Sequence, residues 1–264
     1  MSCHHGNCVL MRPGYELRVH NTRLMAYEAN SEPQLAAKVE ASVALMRQAR
    51  ERYERVVYAS SLGAEAMVLT DLICRQVPGI DIVSIDTGRL PEETLSLLER
   101  LERRYARRMP LYYPDPQAVE RLVREHGING FYNSLEVRLS CCAIRKLEPF
   151  RRAIAGYRAW VTGVRRDQSE SRASVQPIER DEQHGLEKIS PLLDWSWSEI
   201  WSYIRANQLY YNPLHDRGYT SIGCAPCSRA VQPGEDHRSG RWWWERPGSR
   251  ECGLHPRVRP AAVG

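Results

Sequence analysis

The chain has 264 residues, 42% hydrophobic and 26% charged, a composition that suits one large α/β domain, or a domain with a functional tail, and excludes a disordered or fibrous protein. Its net charge of +5 permits an anionic ligand without demanding nucleic acid, and no apolar run reaches the length of a bilayer span. The first residues lack a signal peptide's basic start and apolar centre, so the expectation is a cytoplasmic protein with reduced thiols and no membrane or nucleic-acid partner.

Residues 1–30 show no clean periodicity and read as an arm. Ser31 followed by Gln34 is a helix start, and Leu35, Val39, Val43 and Met46 continue it at helical spacing to about Tyr53. Val56, Val57, Tyr58 and Ala59 form a short buried-strand signal, leading through the turn Ser60-Ser61-Leu62-Gly63 into a helix from Ala64 to Cys74. The pattern repeats with a strand over 80–85, a loop at Asp86-Thr87-Gly88-Arg89, and a helix over 91–107 with Pro91 in its first turn. Further strands are expected over 111–113 and 159–161, with helices between them. Such alternation calls for a parallel sheet covered by helices on both faces, whose ligands bind at the carboxyl ends of the strands. The loops at Ser60, Asp86 and Gly163 should therefore converge on one site. From 211 onward Gly, Pro, Arg and Trp crowd the chain and periodicity fades. The reading is an arm over 1–30, a nucleotide-binding α/β domain over 31–210, and over 211–264 a functional tail laid on that domain.

Eight cysteines in a reducing compartment point to metal or catalysis before disulfides. Cys141 and Cys142 are adjacent, and Cys224 and Cys227 form a C-x-x-C. Four thiolates are the usual ligand set of an iron–sulfur cluster. They would also suit structural zinc, although adjacent ligands on one knuckle are unusual there. Cys252 stands apart between Arg250 and His255, which would favour its thiolate, although on these residues alone a spare C-terminal cysteine reads equally well. Cys74 reads as a core residue. Cys3, His4, His5 and Cys8 resemble a metal cluster, with adventitious or no binding the better reading. Only Lys38, Lys146 and Lys188 are lysines, so a Lys among reactive residues stands out against the arginines.

Five blocks then carry a resemblance: Ser60-x-x-Gly63-Ala64-Glu65; Asp86-Thr87-Gly88-Arg89-Leu90-Pro91; Cys141-Cys142-x-x-Arg145-Lys146; Thr162-Gly163-x-Arg165-Arg166; and Arg217-Gly218-Tyr219-x-Ser221-Ile222-Gly223-Cys224-x-Pro226-Cys227. With the closing run from Gly240 through Trp244 to Cys252 and His255, they make the chain resemble the assimilatory adenylyl-sulfate reductases, within the group that includes phosphoadenylyl-sulfate reductases. The resemblance spans about 56–255. It implies a doubly wound, mostly parallel sheet of the adenine-nucleotide α-hydrolase type, with a flexible C-terminal catalytic tail. It implies one 4Fe–4S cluster per chain on Cys141, Cys142, Cys224 and Cys227, and Cys252 as nucleophile. It further implies a nucleotide site from Ser60, Gly63, Ile85, Thr87, Arg89, Gly163 and His255. Matched cations for the phosphosulfate are Lys146, Arg165, Arg166, Arg172, Arg238 and Arg241, with Lys146 foremost because it follows the cysteine pair by one turn.

Leu62 stands where ATP-using relatives of this loop carry a second glycine, which fits a substrate with no pyrophosphate to cradle. The expected reaction is attack of Cys252 on adenylyl sulfate, with thioredoxin or glutaredoxin supplying electrons. The oligomeric state is left open. Phosphoadenylyl sulfate is the rival substrate, and Arg89 and the four cysteines favour the unphosphorylated nucleotide. A nucleic-acid sulfur-modifying enzyme would need an intact pyrophosphate loop, and a zinc-stabilised nucleic-acid-binding module would leave Cys252 and the nucleotide loops without purpose.

Overall fold

The computed structural model describes residues 31–168, 172–246 and 254. Cys252 and His255 lie outside these residues, as does the group Cys3, His4, His5 and Cys8.

Strand periodicity sets the layering. In β1 (Val56–Ser60), Val56 and Tyr58 point to one side of the sheet while Val57 points to the other. β2 (Asp81–Ile85) splits Ile82 from Val83, and β4 (Ala159–Val161) splits Ala159 and Val161 from Trp160, in the same two directions. The larger core layer joins these residues to α1 (Ser31–Tyr53), α2 (Ala64–Gln76), α3 (Glu92–Tyr105) and α7 (Trp197–Ala206). The smaller layer packs α6 (Glu148–Ile154) onto the opposite face through Phe150, Ala153 and Ile154, with the Phe150 and Trp160 rings edge to face at 5.0 Å.

The remaining elements are β3 (Leu111–Tyr112), α4 (Pro116–His126), α5 (Leu135–Cys142), β5 (Ile178–Asp181) and β6 (Leu186–Ile189). The six strands are ordered β3-β2-β1-β4-β6-β5, all pairs parallel except β5 with β6. The chain winds outward from β1 to β3, then returns to the other side of β1 with β4. The crevice at the carboxyl ends of β1 and β4 is therefore the switch point where doubly wound sheets bind ligands.

The expected strands and helices of the first half are present with small shifts at their ends. Pro91 caps α3 from outside, and Ala106 ends it in the left-handed conformation at φ 47°. The β5–β6 hairpin and α7 carry no expectation from the sequence reading. α7 nonetheless has a full capping box, Ser196 accepting from the Glu199 backbone and Glu199 from the Ser196 backbone. Among the described residues no helix is long and apolar enough to cross a membrane.

Through residue 246 the C-terminal segment is fastened to the sheet domain. Asn212, fully buried, donates to Thr94 Oγ1 at 2.8 Å, the Ala225 N–H donates to the Arg89 carbonyl at 2.8 Å, and the Tyr132 hydroxyl donates to the Pro226 carbonyl at 2.8 Å.

Candidate active site

One cavity at the switch point is lined by the three strand-end loops and by the C-terminal segment. The loop after β1 turns on Leu62, whose φ of +58° puts an L-residue where glycine is at ease. Its side chain is almost fully buried, which offsets a backbone cost of roughly 1–2 kcal/mol. The turn lays Ser60, Gly63 and Glu65 along the cavity, with Ser60 Oγ 3.4 Å from the Leu62 N–H and the Ser60 carbonyl accepting from Ser84 Oγ at 2.9 Å.

At the end of β2, Ile85, Thr87 and Arg89 also line the cavity. Arg145 donates to the Thr87 carbonyl at 2.8 Å, and Thr87 Oγ1 lies 3.1 Å from Cys224 Sγ. The Arg89 guanidinium is committed to the Ile128 carbonyl and Asn129 Oδ1, each at 2.9 Å, and lies over the Phe131 ring. It thus builds the cavity rim. Gly163, after β4, sits so close to α2 that a Cβ there would come within 3.1 Å of Glu65 Cβ.

The adjacent cysteines end α5. A single π-helical segment, Ala143–Leu147, follows and brings both Arg145 and Lys146 to the cavity. Lys146 therefore stands on a widened turn, not the regular α-turn that its spacing from the cysteines suggests.

Cys141, Cys142, Cys224 and Cys227 all line this cavity. Burial pushes the Cys227 thiol up to about 12, the Cys224 charge adding to the effect and Arg241 opposing it. Burial likewise raises Cys141, against the pull of Arg145. At Cys141 and Cys227 a bare thiolate is thus disfavoured, whereas a bound cationic core would make coordinated thiolate the stable form. Each cysteine also has a donor or cation at hand: Arg145 for Cys141, Arg138 for Cys142, Thr87 for Cys224 and Arg241 for Cys227. Among the described residues no three His, Cys, Asp or Glu side chains form a group that could hold a single metal ion. A polynuclear cluster makes a different demand, one thiolate at each corner, and the four-thiol donor set with its surrounding cations fits that demand.

Electrostatically the lining is one-sided. Among the described residues, Arg89, Arg138, Arg145, Lys146, Arg172, Arg238 and Arg241 line it with a single carboxylate, Glu65. Burial works against the charge of Glu65, but Arg165 at 3.0 Å and Gln168 Nε2 at 2.9 Å hold its carboxyl below the usual range. His215 and His237 add polar groups to the lining, and burial lowers both below the usual imidazole value. His215 donates its Nδ1 proton to the Tyr219 carbonyl at 2.7 Å, since a carbonyl can only accept.

Two expected contacts are not brought to the cavity. Arg165, 1% exposed, lies behind Glu65 and also engages Asp167 and the Trp195 carbonyl. Arg166 turns outward to Asp194 and the Val175 carbonyl. Conversely, Glu65, Arg138, Arg145, His215 and His237 line the site although the sequence reading assigned them no role. The four-residue step from Arg138 to Cys142, one helical turn, was the signal available for the second of these. For Cys252, the nearest described neighbour in sequence is Leu254. It lines the same cavity and packs against the smaller core layer.

A model of the phosphoadenosine phosphosulfate reductase domain family matches residues 55–230. Proteins curated as adenosine 5'-phosphosulfate reductases are similar at 52% identity over 223 residues. One, from Allochromatium vinosum, pairs 84% of this chain with 87% of its own length, and another, from Burkholderia cepacia, pairs 84% with 89%. A crystal structure of phosphoadenylyl-sulfate reductase from Candida auris superposes with a TM-score of 0.62 at 25% identity, covering 76% of this chain and 98% of that one. FMN adenylyltransferase from Candida glabrata, at 17% identity and a TM-score of 0.54 over 83% of this chain and 76% of its own, shares the fold alone.

Proposed function

Since the chain belongs to the phosphoadenosine phosphosulfate reductase domain family, we propose that it reduces adenylyl sulfate to sulfite and AMP. The observation that carries this reading is a single cavity that joins nucleotide-type strand-end loops to four cysteines under a strong excess of cations. The names of the curated relatives support adenylyl sulfate over its 3'-phosphorylated form.

In this reading the loops of Ser60, Gly63, Ile85, Thr87 and Gly163 hold the adenylate. Lys146, Arg172, Arg238 and Arg241 offset the charge of the phosphosulfate, so that an anionic nucleophile can approach. Cys252 attacks the sulfonyl sulfur, the S–O bond to phosphate breaks, and AMP departs with that electron pair. Two residues span at most about 7 Å of chain, so the seating of Leu254 in the cavity wall supports Cys252 as the attacking thiol. The resulting S-sulfocysteine is cleaved by a thiol of reduced thioredoxin or glutaredoxin, which attacks the cysteine sulfur and expels sulfite. The reductant's second thiol resolves the mixed disulfide, so its dithiol supplies both electrons. Cys141, Cys142, Cys224 and Cys227 would hold a 4Fe–4S cluster that supplies fixed charge beside Lys146 and the substrate.

The test is a sulfite-release assay with adenylyl sulfate and reduced thioredoxin, repeated with the 3'-phosphorylated nucleotide. Wild-type enzyme without reductant is expected to release AMP in one stoichiometric burst and to gain a sulfonate on the Cys252 peptide. Cys252→Ser is expected to show neither, because a serine hydroxyl stays un-ionised at neutral pH. Sulfite release by Cys252→Ser near the wild-type rate, or faster turnover of the 3'-phosphorylated nucleotide, would sink the reading.

A further inference from the structure

Beside the thiols lies a layered charge cluster of which the proposed reaction uses only Arg241. Arg138, 1% exposed, sits on α5 four residues before Cys142 and donates to that thiol. Its guanidinium forms a two-pronged pair with Glu245, Nε to Oε1 at 2.7 Å and Nη2 to Oε2 at 2.8 Å. It also lies 4.9 Å from the centre of the Trp242 ring, and Arg241 lies 4.6 Å from the same ring. Arg241 in turn donates through Nε to the Cys227 carbonyl at 3.1 Å. The path from one cysteine pair to the other therefore runs Cys142, Arg138, Trp242, Arg241, Cys227.

Several features show that this stack is held in place against a cost. Trp242 has a φ of +44°, unusual for a bulky residue, and is 2% exposed with its indole N–H unpaired among the described residues. Two cations share one ring, an arrangement that demands a counter-charge, and Glu245 supplies it at 7% exposure. Gly223, just before Cys224, leaves room for the Arg241 guanidinium: a Cβ there would overlap it, so a larger residue would displace that side chain from the ring. An isolated bridge pairing Ser228 with Arg241 fixes the far end.

We infer that the Arg138–Trp242–Arg241 stack, neutralised by Glu245, is a clamp that sets the α5 cysteine pair and the C-x-x-C pair at a fixed separation, so that the four thiols form a preorganised cluster site. The inference rests on the reading that these four cysteines hold an iron–sulfur cluster. α5 and the 224–227 turn are far apart in sequence and need a rigid connection across the cavity. The two guanidinium groups held against one indole ring, 4.9 and 4.6 Å from its centre, supply one. Outer partners of this kind typically change cluster retention by about 10- to 100-fold.

The experiment follows the visible cluster absorption of anaerobically purified holoprotein after addition of an iron chelator, and thermal unfolding of each variant serves as a fold control. Trp242→Leu and Arg138→Met are expected to lose cluster about 10- to 100-fold faster than wild type. Trp242→Phe, which keeps a π face, is expected to recover most of that loss. Glu245→Gln, which lies outside the cavity lining, is expected to release cluster several-fold faster. Release at the wild-type rate in a folded Trp242→Leu protein overturns the clamp. If both drastic variants fail to fold, Glu245→Gln decides alone, and an unchanged rate overturns it equally. A wild-type protein without iron would instead refute the cluster reading itself.

Discussion

Replacing Arg165 by Met separates a structural arginine from a substrate-binding one. The guanidinium is 1% exposed and holds Glu65 at 3.0 Å, the Trp195 carbonyl at 3.3 Å, and Asp167, while stacking 5.5 Å from the Trp197 ring centre. Removing one partner of a buried pair costs about 3–5 kcal/mol because the other charge is left uncompensated. Glu65 keeps the Gln168 amide at 2.9 Å and is 17% exposed, which places the cost near the lower end, about 3 kcal/mol. For a chain of this size that corresponds to a fall in Tm of about 6–12 °C. Arg165→Met with Glu65→Gln is expected to regain a large part of it, since no stranded carboxylate remains. Thermal scans at one fixed rate, with AMP binding measured alongside, check both numbers. An Arg165→Met protein that melts with wild type yet loses kcat/KM by more than about 100-fold would refute the argument and restore Arg165 as a substrate contact.

Two further outcomes are expected. Lys146→Ala should lower kcat in single-turnover measurements by removing a cation whose benefit falls in the transition state. Lys146→Arg should recover only part of it, and a wild-type rate for Lys146→Ala would make its place on the π-helical turn incidental. Acid should act through Glu65. Its folded pKa lies below its unfolded value, so the stability it contributes is fully present above the unfolded value of about 4.3 and is lost as pH falls through the folded one. The Tm gap between wild type and Glu65→Gln should therefore close below pH of about 4.5, and cluster loss common to both proteins cancels in that difference. A gap that stays constant into stronger acid would count against the shift.

What could be read from the chain alone was whatever is encoded locally. Short apolar runs followed by glycine-bearing turns and helical spacing identified β1, β2, β4 and the helices after the first two, because each such pattern is complete within about a dozen residues. The adjacent cysteines and the C-x-x-C were likewise legible as two thiol pairs, and the fold brings both to one cavity. The hairpin of β5 and β6 was not, since each strand has four residues and the outer one is only partly buried, which leaves too little alternation to detect.

Tertiary structure decided which cations line the cavity. Arg165 and Arg166 are neighbours in one motif, yet one is drawn behind Glu65 and the other out to Asp194, partners 100 and 28 residues away. Arg138 has no mark in sequence beyond its step to Cys142, and only the fold brings Glu245, 107 residues on, against it. The local chain specifies where backbone turns and where thiols stand. The direction of a long charged side chain is settled by the carboxylate that the fold delivers to it, because a charge removed from water must be paired.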